Sequence, residues 1–156
     1  MEPPRPDDDW RSGLRRRCES ARAVLTAHPW ALTLMDSRLH PGPALLRHHD
    51  ALIGCLRRGG FSVALTARAF SLVDAHVFGF TLTEQSLPFE PTRPGAETMA
   101  ADLAQTLAPY GHLSEFVSEI TAAGDYTYSA EFDRGLAIIL DQLAALRAAG
   151  ESATET

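Results

Sequence analysis

The side chains best suited to chemistry gather in two places. His48, His49 and Asp50 put two imidazoles and a carboxylate in a row, and Asp74 with His76 interrupts a long apolar run. Consecutive helix residues point about 100° apart, so His48, His49 and Asp50 cannot all face one metal ion. No HxxxH or HxxE spacing around them supplies a further ligand. His49 alone falls on the apolar stripe of its segment. It is either a hydrogen-bonded core histidine or a group that touches a ligand. Asp74 poses a sharper question, because a carboxylate buried without a partner is costly. Arg38, Arg68 or a backbone cap could answer it structurally; the functional alternative is a polar anchor inside a pocket. His76, two positions on, lies on another side of the helix and is expected at a subunit interface. GxSxG, P-loop, GxGxxG and HExxH motifs are absent, and no Ser, His and Asp spacing nominates a triad. No enzyme is expected, and neither a cofactor nor a metal.

Helices must position these groups. Trp10, Leu14, Cys18, Ala21, Leu25 and His28 recur at steps of three and four, which predicts a helix over 10–28. Arg11, Arg15, Arg16 and Arg22 sit off that stripe, and the Arg15–Arg17 run reads as a solvated face. Asp7, Asp8 and Asp9 precede the helix, where carboxylates favour the positive end of its dipole. A short second helix starts at Pro29. A third begins at Pro43 and runs to Arg58, with Leu45, His49, Leu52, Ile53 and Leu56 facing inward and Gly59-Gly60 closing it. Ser62 is the N-cap of a fourth helix, 63–85, which has almost no polar side. That composition makes it central or shared with a second subunit. Helices over 96–107 and 113–123 follow. The last, over 129–149, carries Phe132, Leu136, Ile139, Leu143 and Leu146 as a seam, with Gly150 as its stop.

The bulk composition fits this all-α reading. The chain has 156 residues, 45% hydrophobic and 22% charged, with a formal net charge of -6. One globular core is expected over 9–149, between disordered tails at 1–8 and 150–156. An acidic chain lacks the basic footprint of a free-standing nucleic-acid binder, so no direct nucleic-acid binding is expected. Cys18 and Cys55 form no CxxC and read as reduced thiols. No run of eighteen apolar residues exists and the Pro- and Asp-rich start is no signal peptide, so a cytoplasmic protein away from membranes is expected.

Ordered motifs carry a family resemblance. Asp9-Trp10-Arg11, Ala27-His28-Pro29-Trp30 and Asp36-Ser37-Arg38 come first. Pro41-Gly42-Pro43-Ala44-Leu45, Asp50-Ala51-Leu52 and Leu56 to Ser62 follow. Ala69 to Asp74, Val77 to Phe80, Phe132 to Leu136 and Ile139 to Leu143 complete the set. Together, over about 9–147, they resemble the C-terminal domain of TetR-type transcriptional regulators. The resemblance implies a multi-helix domain that binds a small apolar effector in an interior pocket. It also implies a homodimer, joined through the long fourth helix and the last helix. The ligand candidates are Trp30, Met35, His49, Ile53, Phe70, Asp74, Phe78 and Phe116; the large apolar ones could equally be plain core. The dimer-interface candidates are Val77, Phe80, Thr81, Glu84, Leu136, Ile139, Leu140 and Leu143.

Two departures qualify the likeness. Nine residues precede Trp10, too few for the family's three-helix DNA-binding domain, so this chain is expected to lack the helix-turn-helix. Tetracycline repressors hold a metal-coordinating His four residues before the Arg of a Gly-Thr-Arg-Pro turn; here the turn is Asp36-Ser37-Arg38-Leu39 and the matching position is Leu34. A magnesium–tetracycline chelate is not the expected ligand. The alternatives are a ligand-free helical interaction module and, further off, a small helical metal protein or enzyme.

Overall fold

The computed structural model describes residues 2–5, 7–32, 42–86, 103–123 and 126–152. Among these the chain forms helices α1 (Trp10–Ala27), α2 (Pro43–Arg58), α3 (Val63–Ser86), α4 (Gly111–Ala123) and α5 (Tyr128–Ser152). Residues 30–32 and 103–107 are also helical, and no strand occurs among the described residues.

The first three helices start for visible reasons. The Asp9 carboxylate caps α1, accepting from the Arg11 N–H at 3.0 Å and the Ser12 N–H at 3.2 Å. These bonds, Ser12 foremost, hold its carboxyl below the ordinary range. Pro43 occupies the first turn of α2, where its missing N–H costs nothing. The α2–α3 turn uses Gly60 at φ 84, a backbone shape that disfavours a side chain. Ser62 Oγ then accepts from the Leu65 N–H at 3.2 Å, capping α3 as expected. Gly150 does not stop α5, which continues to Ser152. One glycine costs a helix only about 1 kcal/mol, and the alanines before it favour continuation.

The core is a helical sandwich around α3. Trp10, Leu14, Cys18, Ala21 and Leu25 are buried along α1, whereas His28 caps its end in solvent. Leu52, Cys55 and Leu56 bury from α2. Thr66, Ala69, Val73, Val77 and Thr81 form one stripe of α3, at steps of three and four. Phe132, Leu136, Leu140 and Leu143 of α5 close on it. Helices α3 and α5 share the most extensive packing, followed by α1 with α3. Ahead of α1, Pro4 is buried and the Glu2 N–H donates to Ser20 Oγ at 2.9 Å.

This packing corrects the interface candidates. Val77, Thr81, Leu136, Leu140 and Leu143 are fully buried inside the chain, so they present no surface to a second subunit. Glu84 is paired with Arg22, and Phe80 and Ile139 are half-buried. The periodicity that identified them reports burial without saying by what. The large apolar side chains that α3 and α5 leave outside are Val63, Leu72 and Leu82 on α3 and Ile138 on α5. Helix α3 is also long and apolar enough to cross a bilayer by length and composition. Its buried stripe and its ion-paired Asp74 and Glu84 read it as the core helix of a bundle.

Candidate functional site

A polar seam runs between α1, α2 and α3. The Arg17 side chain is 2% exposed, which corrects its reading as part of a solvated face. Its Nη2 is ion-paired with Asp74 Oδ1 on α3. Its Nε–H donates to His48 Nε2 on α2 at 3.3 Å. Its Nη1 is buried and has no hydrogen-bond partner among the described residues. A buried donor left unmatched costs about 1–3 kcal/mol, so its presence calls for a reason. Arg17 rather than Arg68 answers Asp74; Arg38 lies outside the described residues.

The surrounding groups are held neutral. Burial, then the Arg17 charge and His49, push the His48 imidazole below its ordinary value. The accepting Nε2 carries no proton, which assigns the proton of the neutral ring to Nδ1. Burial drives the neighbouring Cys18 thiol up to about 11, so it is no nucleophile at neutral pH. His49 follows on α2 with its ring 6.1 Å from that of His48. It meets Phe70 edge-on at 5.0 Å between centroids and 86° between planes.

A second seam, nearer the far ends of α1 and α3, is a structural clamp. Arg22 Nη2 donates to Glu84 Oε1 at 2.5 Å and to Ser129 Oγ at 2.7 Å, tying α1 to α3 and α5. The same guanidinium lies 4.6 Å from the Phe132 centroid. His76 Nε2–H donates to the Phe132 carbonyl at 2.9 Å, and the two rings stack at 4.8 Å. His76 is therefore an intrachain group. Its ring sits where a side chain on Gly135 would go, with a Cβ there only 2.8 Å from His76 Cε1. An open groove of about 630 Å³ lies at the α2–α3 turn against the end of α5, lined by Arg57, Phe61, Leu65, Arg68, Leu146 and Arg147. It shares no residue with the Arg17 seam.

Of the ligand candidates, the structure brings His49, Phe70 and Asp74 to the Arg17 seam or its edge. Phe78 is half-buried elsewhere on α3. Trp30 is 65% exposed, Phe116 59% and Ile53 43%, so these three face outward and line no interior pocket among the described residues. Met35 and the Asp36–Leu39 turn, with Leu34, lie outside the described residues. Sequence reasoning missed Arg17, and it named His48 in the polar cluster but gave the inward position to His49 alone. The available signal was spacing: Arg17 stands three after Leu14 and four before Ala21, so it shares their side of α1. Among the described residues no three His, Cys, Asp or Glu side chains converge to hold a metal.

Comparison with known proteins gives a consistent picture. The family model described as the tetracyclin repressor-like C-terminal domain matches residues 2–147. Over 148 residues the chain is 30% identical to the tetracycline repressor protein class A from transposon 1721 of Escherichia coli, covering 92% of this chain and 62% of that protein. Over 137 residues it is 28% identical to an HTH-type transcriptional regulator of Saccharopolyspora erythraea, covering 87% of this chain and 56% of that one. The chain thus spans about three-fifths of the length of these curated relatives. Among solved structures it is similar to the Streptomyces coelicolor TetR family protein ActR in complex with actinorhodin. That likeness has a TM-score of 0.67 and 24% identity, and it covers 94% of this chain and 68% of the other.

Proposed function

The chain belongs to the tetracyclin repressor-like C-terminal domain family, and from that premise we propose that it is the ligand-sensing and dimerisation domain of a TetR-like transcriptional regulator. Its curated relatives are regulators rather than enzymes by name. The observation that carries the sensing role is Arg17 Nη1, a buried cationic donor without a partner among the described residues, at the junction of three helices. ActR, which shares the fold, is itself in complex with actinorhodin. We read this chain as cytoplasmic, sensing a small effector of its own and holding no nucleic acid by itself.

The mechanism is a population shift. Arg17 stands mid-helix in α1 and bonds outward to α2 through His48 and to α3 through Asp74. An effector that accepts from Nη1 favours whichever seating of α1 presents that donor. Because α1 begins the domain, its change of seating is the signal passed to whatever precedes it. Homodimerisation accounts for a second feature: Leu72 and Leu82 on α3 and Ile138 on α5 are exposed apolar side chains on the two longest helices.

Thermal unfolding against a broad panel of apolar effectors tests the sensing role. A ligand present at about 100 times its Kd adds about 2.7 kcal/mol, which raises Tm by roughly 5–10 °C for a chain of this size. The shift is expected in the native sequence and is expected to vanish in Arg17→Met. A panel that moves Tm nowhere defeats the sensing role and favours the plain interaction module.

A further inference from the structure

We propose that the groove between the α2–α3 turn and the end of α5 is a binding site of its own. It takes a small amphipathic anion: an oxyanion head, carboxylate or phosphate, on an apolar body. The groove shares no residue with the Arg17 seam, so this inference goes beyond the sensing role and stands apart from it.

The first argument is charge. The ionisable side chains lining the groove are Arg57, Arg68 and Arg147, and among the described residues no carboxylate lines it. The chain as a whole runs the other way, with 20 acidic residues against 14 basic ones. Its less exposed arginines are answered elsewhere: Arg16 by Asp8, Arg17 by Asp74 and Arg22 by Glu84. Arg57 and Arg68 form no ion pair among the described residues. A hollow lined by charge of one sign concentrates counter-ions of the other. The second argument is the donor set. Arg57 Nη1 donates to the Phe61 carbonyl, and Arg147 Nη1 donates to the Gly59 carbonyl at 2.9 Å. Both guanidinium groups are thereby tethered to the turn. A guanidinium carries five N–H donors, so the single bond from Arg57 leaves most of its fork for an acceptor. An oxyanion is the acceptor that such a fork matches. The third argument is the apolar lining. Phe61 is 1% exposed, and Leu65 and Leu146 are half-buried. An inorganic ion would leave these two leucines wet, whereas an apolar body covers them. The volume of about 630 Å³ suits a small molecule.

Four probes separate head from body. Octanoate and octyl phosphate carry both, 1-octanol the body and acetate the head. Calorimetric titration of the full chain at low salt is expected to show both amphipathic anions binding about tenfold or more above 1-octanol and above acetate. The tighter of the two identifies the head group. High salt is expected to weaken both anions and to leave 1-octanol unchanged. Arg68→Glu alters an exposed side chain and is expected to leave the thermal midpoint almost unchanged. It is expected to weaken both anions by about tenfold without moving 1-octanol. Arg68→Gln removes the charge alone and is expected to give a smaller loss of the same kind. Anions that fail to bind, or that bind no better than 1-octanol, overturn the ligand class. Arg68→Glu protein that keeps the native affinity for both anions overturns the site. Each of these outcomes leaves the Arg17 reading untouched.

Discussion

Arg17 and Asp74 form an ion pair that is largely buried, with the arginine 2% exposed. Removing one partner of a buried pair strands the other, whereas replacing both by apolar groups can be nearly neutral. Asp74→Ala is therefore expected to cost about 3–5 kcal/mol. Arg17→Met combined with Asp74→Leu is expected to cost less than Asp74→Ala alone. Urea unfolding of the two variants checks this, and a double variant that costs more than Asp74→Ala would show the two residues to be uncoupled. His48 makes a second residue-level expectation. The charges around it are Arg17 on α1, His49 beside it on α2 and Asp74 on α3, and its folded value is depressed. The unfolded chain thus takes up the proton first. The stability it contributes is full above the unfolded value of about 6.5 and is lost as pH falls from there through the folded value. His48→Gln is expected to flatten the part of the stability profile that falls just below about pH 6.5 while leaving the carboxylate-driven loss at lower pH unchanged. At this scale the sequence was legible only in part. Asp74 declared itself because a lone carboxylate on an apolar helix demands a partner. Arg17 stayed hidden because two further arginines beside it, Arg15 and Arg16, make the run look like a charged surface.

Between elements, the decisive contact is the near approach of α3 and α5. It depends on Gly135 leaving room for the His76 ring. Gly135→Ala would ordinarily stabilise a helix interior by about 1 kcal/mol. Here it is expected to destabilise by about 1–3 kcal/mol, because the ring is fixed by its bond to the Phe132 carbonyl and cannot easily withdraw. In a His76→Ala background the same substitution is expected to become stabilising, a sign change that thermal unfolding reads directly. The helices themselves were written plainly in the sequence. The α1 stripe, the proline start of α2, the glycine turn and the Ser62 cap all follow from local chemistry that needs no tertiary information. What periodicity could not supply was the identity of each stripe's partner. Val77, Thr81, Leu136, Leu140 and Leu143 were assigned to a second subunit, yet α3 and α5 of one chain already bury them against each other and α1.

For the molecule as a whole, the proposed assembly rests on what that burial leaves over. Leu82 is 57% exposed and Ile138 69%, on the outer sides of the two longest helices. Converting both to arginine is expected to leave the urea midpoint almost unchanged, since neither contributes to the core. Sedimentation equilibrium is expected to show the native chain at twice its 16.9 kDa and the double variant at the single-chain mass. A native chain that sediments as a monomer at all concentrations ends the dimer proposal. The arrangement of the two tryptophans has an optical consequence. Trp10 is sealed between the Phe61 ring, 4.8 Å away, and the Gly59 backbone, while Trp30 stands in solvent. Their emissions should differ in colour, with the buried indole at shorter wavelength and only the exposed one readily quenched by acrylamide. The foot of α1, where a change of seating would be felt, therefore carries its own fluorophore. Native fluorescence can follow the signal without any label.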